Sequence, residues 1–227
     1  MIIKVCGMRN PENISAVAAL GIDLLGLIFY PDSPRYVQEY IPSNAGILPD
    51  GIPTSMKEVT HGMFPKRVGV FVDEMPQTII TKAYNYELDY IQLHGHEPRT
   101  MCENLRRTLD PDIRKGIKII KAISIRQPQD VGLYKEYEGA VDMFLFDTKC
   151  KTVGGSGTQF DWSVLDRYDG TTPFLLSGGI GPDDAVRVKA FRHPQFAGID
   201  LNSRFEVSPA MKDVEKLKKF IREIRDE

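Results

Sequence analysis

Eight short apolar runs, four to seven residues long and rich in β-branched side chains, recur along this chain with longer amphipathic stretches between them. They are Ile2 to Cys6, Leu24 to Phe29, Arg67 to Val72, Tyr90 to Leu93, Ile117 to Ile123, Met143 to Phe146, Phe174 to Ser177 and Phe196 to Leu201. A half-exposed strand alternates apolar and polar residues, whereas a strand covered on both faces is apolar at nearly every position, so these runs read as buried parallel strands. The intervening stretches carry helix start signals: Asn10-Pro11-Glu12 before Ile14 to Leu20, Pro76 before Thr78 to Tyr86, Pro98 before Met101 to Leu109, and Pro182-Asp183-Asp184 before Ala185 to Phe191. A last helix over about Met211 to Arg225 places Val214, Leu217, Ile221 and Ile224 on one face.

Strand then helix, eight times, is the order of an α/β protein of the (β/α)₈ TIM barrel type. A doubly wound open sheet is the alternative, weakened by the absence of a Gly-x-Gly-x-x-Gly turn after the first strand. The 227 residues, 42% hydrophobic, suffice for one domain over the whole chain. Between Tyr36 and Pro65 the residues Pro42, Gly46, Pro49, Gly51, Pro53 and Gly62 predict an irregular connection with a short or broken second helix.

A net charge of −2 argues against nucleic-acid binding through an overall positive field, so any bound anion must be held locally. No run approaches the length of a membrane span, and Lys4 interrupts the N-terminal apolar stretch, so neither a span nor a signal peptide is expected and a cytoplasmic location is the simplest reading. Cys6, Cys102 and Cys150 are too scattered for a disulfide framework or a zinc knuckle.

In a barrel, functional groups gather where strands end and the following loops begin. Cys6 closes the first run, where a thiol can be a small buried hydrophobe or, with Lys4 two residues back, a partly exposed base or nucleophile. Asp147 emerges from Met143-Phe144-Leu145-Phe146, and apolar surroundings of that kind can hold a proton on a carboxyl for general-acid work; a turn-forming aspartate is the equal alternative. Arg35, in Ser33-Pro34-Arg35-Tyr36, offers a fork suited to a carboxylate, against the alternative of a solvated surface arginine that binds nothing specific. His94-Gly95-His96 has the look of a metal pair, but without further ligands a metal is not expected, and His94 is read as lining the pocket or holding the loop. The turn Ser177-Gly178-Gly179-Ile180-Gly181-Pro182-Asp183 leaves backbone N–H groups free to approach an anion, with a tight strand-to-helix turn that binds nothing as the equal alternative, and Asp200-Leu201-Asn202-Ser203 at the end of strand eight moves the reading toward phosphate. Gly154-Gly155-Ser156-Gly157 is flexible enough for a lid.

Taken in order, several motifs resemble phosphoribosylanthranilate isomerase of tryptophan biosynthesis. They include Lys4-Val5-Cys6-Gly7-Met8, Gly26-Leu27-Ile28-Phe29 with Ser33-Pro34-Arg35-Tyr36, Arg67 to Val72, and Ile91-Gln92-Leu93-His94-Gly95. The second half continues with Phe146-Asp147-Thr148, Gly154 to Gly157 with Phe160-Asp161-Trp162, Leu176-Ser177-Gly178-Gly179, and Asp200 to Glu206 leading into Lys212-Asp213. The resemblance spans nearly the whole chain. It implies a cofactor-free Amadori rearrangement of a small phosphorylated substrate, catalysed by a monomer or homodimer. Asp147 is then the general acid toward the furanose ring oxygen and Cys6 the base toward the ribose C2 proton. Arg35 holds the anthranilate carboxylate, and Gly178, Gly179, Asn202 and Ser203 hold the phosphate, with Asp200 and His94 lining the site. Two positions depart from the family pattern: Arg204 and Ala210 stand where glycine is common. A barrel that binds a phosphorylated metabolite without turning it over, and a related isomerase with another aminoaldose substrate, are the competing readings. Retention of both proton-transfer groups disfavours the first, and a thiol in place of a second carboxylate disfavours the other.

Overall fold

The computed structural model describes residues 1–38, 64–110, 112–148 and 161–225. All eight apolar runs form strands: β1 (Ile2–Val5), β2 (Leu24–Ile28), β3 (Lys66–Phe71), β4 (Tyr90–Leu93), β5 (Lys118–Ser124), β6 (Met143–Asp147), β7 (Phe174–Ser177) and β8 (Phe196–Leu201). They pair in sequence order, every neighbour parallel, and β1 closes the ring on β8 with Val5 opposite Leu201. The open-sheet alternative is excluded by that closure.

Period-two alternation along each strand divides its side chains between lumen and exterior. Inside lie Leu24, Val68, Val70, Tyr90, Ile120, Met143, Leu145 and Leu175, and the outward set, including Ile3, Val5, Leu25, Phe71, Ile91, Phe144 and Phe146, packs beneath the surrounding layer. Burial on both faces is why the strands are continuously apolar in sequence.

The surrounding layer holds α1 (Pro11–Ala18), α2 (Pro76–Asn85), α3 (Arg99–Leu109), α4 (Ala185–Ala190) and α5 (Val214–Arg225). Asn10 caps α1 by accepting the Asn13 backbone N–H at 2.9 Å, with Pro11 in the first turn, where its missing N–H costs nothing. Along α5, Leu217, Phe220, Ile221 and Ile224 face inward, and Phe220 packs its ring on Phe205.

Two expectations need correction. Strand and α-helix do not alternate eight times: after β5 and β6 the chain makes 3₁₀ turns at Pro128–Glu136 and Trp162–Arg167. The last helix begins at Val214, because Met211 and Lys212 form a short strand, β10, antiparallel to β9 (Glu206–Ser208). Asn13 pins that hairpin to α1, its side chain donating to the Lys212 carbonyl and accepting the Lys212 N–H. After Gly181 the Pro182–Asp184 start signal forms a 3₁₀ turn and α4 follows over Ala185–Ala190, within one residue of the expected span. Most of the Tyr36 to Pro65 connection, the Gly154 to Gly157 loop and Cys150 lie outside the described residues.

Candidate active site

A cavity of about 520 Å³ opens at the C-terminal ends of the strands. Cys6, Arg35, His94, Asp147, Gly178, Gly179, Asp200, Asn202 and Ser203 all line it, so the nine residues chosen from sequence converge on one place. Barrel geometry explains this: side chains that follow parallel strands emerge at one rim however distant they are in sequence.

Cys6 follows β1, and its N–H donates to the Leu201 carbonyl at 2.9 Å, which extends the ladder by one residue and fixes the thiol at the cavity floor. It is only 4% exposed, which favours the buried of the two sequence readings, although the thiol still lines the cavity. Burial pushes its pKa above the ordinary thiol value, the Lys4 ammonium pulls it down, and Asp200 pushes it up again. Lys4 lies fully buried on the same face of β1, with its ammonium 2.9 Å from Asp200 Oδ1. Burial opposes the charge on Lys4, but Asp200 and the thiol beside it hold its pKa above the ordinary lysine value. Space for the thiol comes from the neighbouring strand: a Cβ on Gly26 would stand 2.7 Å from Sγ.

Asp147 ends β6 and is 3% exposed. His94 Nε2 stands 3.5 Å from its Oδ2, and the His94 Nδ1 faces the Gln92 amide nitrogen at 3.3 Å. Gln92 thus supports His94 from inside β4, a role with a readable signal in sequence, since a glutamine within an apolar strand needs a polar partner. His96, by contrast, swings outward to Asp73 with its side chain 98% exposed. The two histidines of the apparent metal pair therefore diverge, and no group of three or more His, Cys, Asp or Glu converges among the described residues.

At the far end of the cavity, Gly178 has φ +100°, and a Cβ there would lie 2.5 Å from the Thr148 carbonyl oxygen. Only glycine satisfies both constraints, which brings the turn after β7 against the one after β6. Not every loop amide is available to a ligand: the Gly181 N–H donates to Asp184 Oδ2 at 2.7 Å. Asp200 is likewise occupied, taking Lys4 on one oxygen and the Ser177 hydroxyl at 3.2 Å on the other. Its place is beneath the site, holding Lys4. Arg204, an exposed residue, lines the cavity mouth.

Arg35 carries a partner that the sequence left unassigned. Its Nε donates to both Glu206 oxygens at 2.9 and 3.1 Å, and a terminal nitrogen donates to Oε2 at 2.5 Å. Glu206 Oε1 also accepts Lys212 Nζ at 2.6 Å, and that ammonium donates to Asn202 Oδ1 at 2.8 Å. Burial raises the Glu206 carboxyl, but Arg35 and Lys212 outweigh it and hold its pKa below the usual glutamate value. Gly7, with φ +77°, admits the cluster: a Cβ there would come 2.5 Å from Arg35 Cδ and 2.9 Å from Asn202 Oδ1.

The family model for N-(5'-phosphoribosyl)anthranilate (PRA) isomerase matches residues 3–223. The chain belongs to that family. It is 48% identical over 225 residues to the PRA isomerase of Parabacteroides distasonis, covering 99% of this chain and 93% of that protein. Identity to the Phocaeicola vulgatus PRA isomerase is 44% over 228 residues, covering 99% and 98%. The crystal structure of PRA isomerase from Thermotoga maritima superposes with a TM-score of 0.77 at 31% identity over 100% of both chains. A PRA isomerase structure in complex with reduced 1-(o-carboxyphenylamino)-1-deoxyribulose 5-phosphate has a TM-score of 0.74 at 28% identity, again over 100% of both. The activity is the isomerase reaction expected from the sequence, the Amadori rearrangement of PRA in tryptophan biosynthesis.

Proposed function

We propose that Asp147 and Cys6 divide the two proton transfers of this rearrangement. Asp147 donates a proton to the furanose ring oxygen, the bond from that oxygen to C1 breaks, and the substrate nitrogen supplies electrons to form a C1 iminium. The Cys6 thiolate then removes the C2 proton, giving an enolamine that tautomerises to the 1-(2-carboxyphenylamino)-1-deoxyribulose 5-phosphate ketone. Lys4 stabilises the thiolate from below, and Asp200 keeps Lys4 in place. His94, backed by Gln92, orients the Asp147 carboxyl. Arg35 holds the substrate carboxylate, while Gly178, Gly179, Asn202 and Ser203 hold the phosphate.

The observation that carries this reading is the meeting of a buried thiol, set on a buried cation, and a buried carboxyl in one cavity. β7 and β8 separate their strands around the ring, so the two groups approach a bound sugar from different directions. The enzyme acts in the cytoplasm as one barrel domain, monomeric or homodimeric; a structure of monomers generated from the dimeric PRA isomerase of T. maritima is among the similar ones. Its partner is the phosphorylated small molecule, with no nucleic acid.

The test is turnover of freshly made PRA followed by its fluorescence. Cys6→Ala and Asp147→Asn should each lower kcat by at least about 10²-fold, the lower range for one acid–base group, while circular dichroism stays native. Wild-type kcat in either folded variant removes that residue from its role.

A further inference from the structure

We infer that Glu206 is a positioning and specificity-determining residue, which holds Arg35 in the orientation that selects a substrate bearing an aryl carboxylate. The inference rests on the assignment of Arg35 to that carboxylate. Glu206 belongs to a motif that the proposed mechanism leaves without a role, yet its carboxylate accepts hydrogen bonds from three residues, one of which, Arg35, lines the cavity. It takes Arg35 through two nitrogens, Lys212 at 2.6 Å, and the Ala210 N–H at 3.2 Å.

Three physical consequences follow from those contacts. An arginine side chain has four rotatable bonds, and fixing its fork in advance removes the ordering cost that a ligand carboxylate otherwise meets. Engagement through Nε and one terminal nitrogen fixes the guanidinium plane, because Nε cannot turn without carrying the whole fork. Charge is also set: Arg35 and Lys212 share the single carboxylate of Glu206, so the cluster keeps one net positive charge against the incoming anion.

The second arm of the clamp reaches the phosphate side. Lys212 donates to both Glu206 and Asn202, so the residue proposed for the carboxylate and the loop proposed for the phosphate are tied to one carboxylate. The hairpin that brings Glu206 and Lys212 together is anchored by Asn13 on α1, outside the cavity. The Arg35 fork is therefore oriented from a hairpin tied to α1, while its own loop holds only its backbone, through Ser33.

The experiment measures two dissociation constants by calorimetry: one for the product analogue, reduced 1-(o-carboxyphenylamino)-1-deoxyribulose 5-phosphate, and one for the equally reduced phenylamino counterpart without the carboxylate. The wild type should prefer the carboxylated ligand by at least about tenfold, the range of one charge-assisted bidentate contact. Glu206→Ala should reduce that preference to within about threefold, because any loss passed on through the Lys212–Asn202 contact falls on both phosphorylated ligands alike. Glu206→Gln, nearly isosteric and still an acceptor through one oxygen, should restore part of it; it also keeps the test decisive should the alanine variant not fold. Equal weakening of both ligands would make Glu206 a general brace and overturn the inference. A preference that rises in Glu206→Ala would make it a competitor of the substrate and overturn it as well. Arg35→Ala is the separate control: an unchanged preference there defeats the assignment of Arg35 itself, whereas loss there with wild-type preference in both Glu206 variants defeats only the role of Glu206.

Discussion

Replacing Gly26 with alanine tests the placement of Cys6 without touching any group that moves a proton. The new Cβ would lie 2.7 Å from Cys6 Sγ, 3.0 Å from its Cα and 3.2 Å from its Cβ. Since carbon atoms settle at about 3.5–4.0 Å, the thiol must retreat by roughly 1 Å. Overpacking of this kind costs about 1–3 kcal/mol, and the loss of unfolded-chain freedom on Gly→Ala returns roughly 0.4–1 kcal/mol. The net loss, at most about 2.6 kcal/mol, corresponds to a fall in Tm of up to roughly 10 °C for a chain of this length. Catalysis should suffer more: a displacement of about 1 Å can cost on the order of 10²-fold in kcat. PRA fluorescence decay and thermal unfolding measure the two effects. In a Cys6→Ala background the 2.7 Å contact is gone and only the contacts with Cα and Cβ remain, so the stability penalty of Gly26→Ala should shrink. A Gly26→Ala enzyme with kcat within about threefold of wild type would refute the argument that Cys6 acts from the position seen here.

The hairpin and the outer core provide further tests. Ala210 adopts φ +66°, a conformation that strains an L-residue by about 1–2 kcal/mol, so Ala210→Gly should stabilise by roughly 0.5–1 kcal/mol after the entropy of glycine is subtracted, a rise in Tm readable by calorimetry. Burial pushes the Cys102 thiol up to about 11 from 9.0, so the unfolded chain loses this proton first as pH rises. Its contribution is therefore complete below about pH 9 and lost between about pH 9 and 11, and urea unfolding should show stability falling more steeply with alkaline pH in the wild type than in Cys102→Ala. Parallel pH slopes would contradict that sign.

The lumen-facing half of the site was legible because position in a strand carries it. Cys6 and Asp147 each follow an unbroken apolar run, and parallel strands in a closed ring deliver such residues to one rim whatever their separation in sequence. Gly178 announced itself as part of a glycine-rich turn, although the reason for it, the Thr148 backbone lying against it, is a contact across two loops. Glu206 sits within a motif but has no task visible in the sequence. Its partners Arg35 and Lys212 lie 171 and 6 residues away, and the nearer one reaches it through a hairpin that apolar periodicity continues into the last helix. Lys4 was read as a neighbour of the thiol, but its full burial depends on Asp200, which β8 places beside β1 only when the ring closes.

Strand number, strand order of appearance and the residues at each strand end follow from the sequence by itself, because burial on both faces leaves a periodic record in local composition. Ring closure, the pairing of Lys4 with Asp200 and the clamp of Glu206 on Arg35 were decided by tertiary structure alone. Each depends on charges brought together from distant strands and loops, and the energy of such a pair lies in a distance that no local pattern encodes.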